Sequence, residues 1–175
     1  IQLASVWEDD SEARERSGGS DSILHLACLN GLTSFVKKLL DTPSSSANRI
    51  DCRAESPLDA AVRGGHLTTC ELVINMGAGS LSQRVALYRA CTTMSEPAHA
   101  VALAIISAGD VDPSRRVSDR VVSHLPIASL PFLALASSAR QWNPSPADIL
   151  RERGFSDRAD NLVAEYSKKI LSLAD

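Results

Sequence analysis

The sequence predicts an all-α fold built from stacked helix-turn-helix units, and three observations lead to it. The first is an internal echo. Ser56-Pro57-Leu58-Asp59-Ala60-Ala61, followed by Gly65-His66-Leu67, returns as Ser145-Pro146-Ala147-Asp148-Ile149-Leu150, followed by Gly154-Phe155. A unit of about thirty residues that repeats along a chain signals a stacked array, in which no unit buries its apolar face alone. The second is composition: 44% of residues are hydrophobic but only 4% aromatic, so the core must come from Leu, Ala, Val and Ile, which suits short, closely stacked helices. The third is spacing, with apolar residues recurring at helical intervals between glycines that punctuate them.

In chain order, residues 1–20 carry Trp7, Glu8, Asp9, Asp10 and Glu12 and then Ser17-Gly18-Gly19-Ser20, an acidic lead-in before a flexible joint. The plain expectation there is a solvated linker; the sharper one has Trp7 packing on the first unit or docking a partner. Residues 21–175 are expected to form one repeat domain with units near 21–50, 51–80, 81–112, 113–143 and 144–175. The first unit opens with Asp21-Ser22 as helix cap, turns at Gly31, and continues through Phe35, Val36, Leu39 and Leu40. In the second, Ser56 caps, Pro57 supplies the φ favoured in a first turn, Gly64-Gly65 turns, and Cys70, Leu72, Val73 and Ile74 form the buried side of the outer helix. The third places its inner helix around Leu87–Cys91 and its outer helix over Val101–Ile106, with Met94-Ser95-Glu96-Pro97 in place of a glycine turn. Between Pro113 and Asn143 the pattern fades, and a degenerate fourth unit is more economical than a structureless loop of that length. The last unit presents Arg158, Asp160, Asn161 and Glu165 as the polar outer side that a terminal cap needs.

Ser22, Ile23, Leu24, His25 and Ala27 fill the positions of the T-P-L-H-x-A motif, as does Ser56-Pro57-Leu58-Asp59-Ala60-Ala61 with Asp for His. With the Gly65-His66 turn and the Gly109-Asp110-Val111-Asp112 ending, the chain resembles the ankyrin repeat family over about residues 21–166. The resemblance implies a solenoid of about five repeats, with a degenerate fourth and a C-terminal capping repeat. The short stretches Ile50–Ser56 and Gly77–Val85 imply cropped hairpin fingers, while Thr42-Pro43-Ser44-Ser45-Ser46-Ala47 reads as an exposed loop.

Charge and motif content exclude much. A net charge of -3 disfavours general nucleic-acid binding, and the longest apolar stretch, Leu125 to Ala139, is too short to span a membrane and is expected as a buried helix. Cys28, Cys52, Cys70 and Cys91 show neither a C-x-x-C pair nor a disulfide framework, so a reducing compartment, cytoplasmic or nuclear, is expected, with Cys28 and Cys91 as buried thiols. The chain begins at Ile1, as a piece of a longer protein would, so a missing leader carries no weight. By the resemblance, His25 holds neighbouring loop backbone and His66 fills the Gly-His turn position, both structural roles; His99 and His124 lack zinc-ligand spacing. Asp59 and Asp148 mark equivalent repeat positions instead of a catalytic pair, and no nucleophile elbow, phosphate loop or dinucleotide fingerprint is present. Neither enzymatic activity nor any cofactor or metal is therefore expected. Arg115, Arg116 and Arg120 form one basic cluster, read first as a solvated finger and second as an anion contact.

What the resemblance implies for function is a non-catalytic scaffold binding a partner protein or peptide along the concave inner-helix surface and the fingers. Carried over by position, the contact residues are Leu29 and Asn30, then Arg53, Glu55 and Arg63, then Arg89, Thr92 and Thr93, then Glu152 and Arg153. Arg63 and Arg89 in that set point to a partner with acidic or polar side chains. The alternative is a structural or regulatory domain packing within a larger enzyme or channel polypeptide.

Overall fold

The computed structural model describes residues 20–51, 55–93, 96–115 and 144–173. Among these residues it holds eight helices and no strand. They are α1 (Ser20–Leu29), α2 (Thr33–Leu40), α3 (Pro57–Gly64), α4 (Leu67–Asn75), α5 (Ser80–Thr93), α6 (Glu96–Ala108), α7 (Pro146–Glu152) and α8 (Ser156–Ser172).

The echoed sequences start helices for the same local reason. The Ser56 hydroxyl accepts the Asp59 amide at 3.1 Å, and the Asp59 carboxylate accepts the Ser56 amide at 3.1 Å, a reciprocal capping box with Pro57 in the first turn. Ser145 and Asp148 repeat it at the start of α7, at 3.2 and 3.0 Å. Each box satisfies two amides that an open helix start would leave unpaired. At the other end of α3, Gly65 takes φ +73°, a left-handed conformation that glycine adopts without steric penalty, and α4 follows almost at once.

Packing follows one order. α1, α3, α5 and α7 contact one another in sequence as one row; α2, α4, α6 and α8 do so as a second. The members of each successive pair also pack together, so four described pairs form four successive layers. Leu58, Leu87, Ile105, Ile106 and Leu162 are fully buried between the rows, with Ala60, Ala61, Ala86, Ala102, Ala147 and Ala159 where helices approach closely. As the composition required, the core is aliphatic.

Polar side chains clasp one layer to the next. The Thr33 and Thr69 hydroxyls meet at 2.8 Å. Asn48 donates to the Gly77 carbonyl at 2.9 Å and accepts the Gly79 amide. Gln83 donates to the Ala78 carbonyl at 2.6 Å and accepts the Asp110 amide at 2.9 Å. Lys169 of α8 donates to the Ile106 carbonyl at 3.2 Å and to that of Gly109, placing a cation at the negative end of α6.

Several expectations change. The inner helix of the third pair begins at Ser80, so the stretch expected as a finger between Gly77 and Val85 is mostly helix. Its outer helix starts at Glu96, a full turn before Val101. Phe35 points outward while its neighbour Val36 is buried. The expected fourth unit falls, from residue 116 on, outside the described residues, as does the apolar stretch Leu125 to Ala139. The pair α7–α8 packs directly on α5–α6, and the Ala147 amide donates to the Pro113 carbonyl at 3.1 Å. Residues 1–19, including Trp7, are also outside the described residues.

Candidate functional site

The inner-row helices are in register, and cross-layer hydrogen bonds show it. His66, in the turn after α3, donates from Nε2 to the Leu29 carbonyl at the end of α1, 3.0 Å away. Arg153, following α7, donates to the Thr92 carbonyl near the end of α5 at 2.9 Å. His25 likewise donates from Nε2 to the Glu55 carbonyl at 2.8 Å, just before α3 begins. A carbonyl only accepts, so each imidazole carries its proton on Nε2. His25 holds loop backbone, as expected, and His66 holds the end of α1 from its turn.

The C-terminal turns of α1, α3, α5 and α7 therefore lie side by side, and nine of the ten proposed contact residues belong to this neighbourhood or feed into it. Asn30 is exposed, with its amide donating to the Leu26 carbonyl at 2.7 Å. Leu29 is half-buried and Glu152 exposed. Thr92 and Thr93 both turn their hydroxyls back onto the Arg89 carbonyl, each at 2.8 Å. The tenth, Arg53, lies outside the described residues.

Glu55 is the residue whose surroundings differ most from expectation. Placed by position on an exposed finger, it is instead 5% exposed. One carboxylate oxygen receives Arg63 at 3.2 Å and the other Arg89 at 2.9 Å. Arg89 also reaches Asp59 Oδ1 at 3.3 Å, so its guanidinium bridges two buried carboxylates from the second layer. Burial pushes the Asp59 carboxyl above the ordinary value, against the opposing pull of Arg89 and the Ser56 hydrogen bonds, with the Glu55 charge adding to the rise. The Arg89 side chain, 11% exposed, thus serves the stack, whereas Arg63 is 37% exposed and presents part of its charge outward. Local charge is largely compensated here. Nothing in the order of residues marks Glu55 for burial, because its partners come from 34 positions later as well as from its own unit.

At the far end of the outer row, Arg158 was expected to project from the cap. It instead donates to Glu96 and lies over the Phe155 ring at 4.9 Å, tying α8 to the start of α6. His99 nearby has its pKa lowered by burial and by Arg158, against Glu96. Arg115 is exposed, while Arg116, Arg120 and His124 are outside the described residues.

Cys28, Cys70 and Cys91 are buried and unbridged, with burial raising each thiol to about 12. Cys52 is outside the described residues. Among the described residues no group of three His, Cys, Asp or Glu side chains is placed to hold a metal ion, and no helix is long and apolar enough to cross a membrane. A scan of protein-family models finds none that matches this chain, and a search of curated proteins finds no match either.

Proposed function

We propose that this chain is a non-catalytic interaction module of the ankyrin type, holding a partner protein or peptide along the row formed by the ends of its inner helices. The observation that carries this reading is the register of that row. His66 to Leu29 and Arg153 to Thr92 bring successive inner-helix ends together, and Asn30, Arg63, Thr93 and Glu152 stay accessible along it. Repeated units that align equivalent positions build an extended surface able to meet an extended or helical ligand. The paired helix order and the capping boxes at Ser56 and Ser145 support the family reading. A reducing compartment, cytoplasmic or nuclear, belongs to the same proposal and is supported by three buried, unbridged thiols.

Because Glu55 and Asp59 offset Arg63 and Arg89, the row favours a polar partner of balanced charge over a strongly acidic one. A photo-crosslinking amino acid placed at Asn30, Thr93 or Glu152 should capture the same partner from cell extract. The same probe at Glu71 or Asp157 on the outer row should capture it weakly. Capture that is strongest from the outer row would overturn the proposal.

A further inference from the structure

At the C-terminal end, Arg151 of α7 pairs with both Asp148 and Asp160, at 3.7 and 2.9 Å, and Ile170, Leu171 and Leu173 are exposed near the end of α8. At the N-terminal end, among the described helices, α1 packs chiefly against α2 and α3, and α2 against α1 and α4. The side turned away from the second layer is apolar. Ile23 and Leu26, three residues apart on α1, and Leu32 and Phe35, three apart at the start of α2, are each about half exposed. Lys37 and Lys38 lie exposed beside them on α2. A contiguous apolar surface of this kind, rimmed by charge, marks a place that something covers.

We propose that the cover is the chain's own N-terminal segment, residues 1–12, acting as a cap for the first layer. Its chemistry is complementary: Ile1, Leu3, Val6 and Trp7 supply apolar side chains, and Glu8, Asp9, Asp10 and Glu12 follow to meet the two lysines. The tether is also suitable. Residues 13–19 join the segment to Ser20, the first residue of α1, and seven extended residues reach about 25 Å. That exceeds the roughly 15 Å length of α1 itself, so the segment can lie anywhere on the face. Short tethering raises the local concentration of the segment far above that of a free competitor. The proposal is independent of the partner row, which lies at the ends of the inner helices, and its failure would leave that reading intact.

The test uses the full chain with Trp142→Phe, so that Trp7 is the sole indole. Trp7 emission should be blue-shifted, and its acrylamide quenching severalfold weaker than in the urea-unfolded chain. Leu26→Glu with Phe35→Glu should restore red emission and full quenching while the far-ultraviolet helical signal is kept. Lys37→Glu with Lys38→Glu provides a second arm if that variant fails to fold, and should loosen Trp7 at low salt. Trp7 as open to quencher in the native chain as in the unfolded one would overturn the proposal. So would protection that persists in both variants. Protection that appears only with concentration-dependent dimerisation would assign the face to a second copy and refute the cap.

Discussion

Replacing Arg89 by Met keeps most of the aliphatic stem and removes the cation that touches both buried carboxylates. Asp59 would then retain its hydrogen bonds from Ser56 but lose the charged partner that Oδ1 has among the described residues, while Glu55 would keep Arg63. Breaking a buried ion pair from one side costs about 3–5 kcal/mol, and the surviving Arg63 contact argues for the lower end, about 3 kcal/mol. The pH dependence gives an internal check. The folded pKa of Asp59 lies above the ordinary 3.8, so between those values the folded chain binds more protons than the unfolded chain. Its contribution therefore favours folding at low pH and is lost as pH rises through the folded value. Removing Arg89 withdraws the largest opposing influence and moves that value further up. The loss in Arg89→Met should consequently be greatest at neutral pH and shrink on acidification, as Asp59 becomes neutral in the variant. Urea melts of both proteins across that range measure it. A loss below about 1 kcal/mol, the scale of a solvent-exposed pair, or a difference that does not change with pH, would refute the assignment.

Leu58→Ala, at a fully buried position between the rows, should cost about 2–5 kcal/mol in the same melts, and a loss under about 0.5 kcal/mol would contradict its placement. Cys28, Cys70 and Cys91, with thiols raised to about 12, should resist alkylation in mildly alkaline buffer until the chain is unfolded, as read by mass spectrometry. Lys169→Met should cost about 0.3–1 kcal/mol by uncapping α6, and hydrogen exchange should report the loss near Ile106–Gly109 before it appears elsewhere.

Features decided within one turn of chain were legible in the sequence. Ser-Pro-x-Asp forms its capping box from atoms three residues apart, and a glycine before His66 adopts its left-handed turn whatever lies nearby. The start of α5 was not legible because its buried residues wrap around the helix. Gln83, Val85, Ala86, Leu87, Tyr88, Ala90 and Cys91 leave no apolar stripe to set its boundary. Phe35 misled for the opposite reason: its spacing is that of a core residue, but the first layer has no described neighbour on that side. For the candidate surface, the positions at the helix ends followed from repeat register, whereas the role of Arg89 did not. Its direction is set by two carboxylates that only stacking brings within reach. The clasps at Asn48, Gln83 and Lys169 were missed likewise, since a polar residue in a loop or on a helix flank has no sequence pattern that announces a partner in the next layer.

The hydrogen bond from Ala147 to Pro113, with Tyr88 donating to the Pro144 carbonyl beside it, makes a port at which Pro113 and Pro144 come to nearly the same place. The layers on either side of it are in direct contact. Closing a flexible chain between two fixed points becomes harder only slowly with length, by about 0.6 kcal/mol for each doubling. The port is therefore a natural site for grafting a foreign peptide, an affinity handle or a fluorescent domain, and one through which evolution could lengthen or trim the molecule while leaving the inner-helix row unchanged.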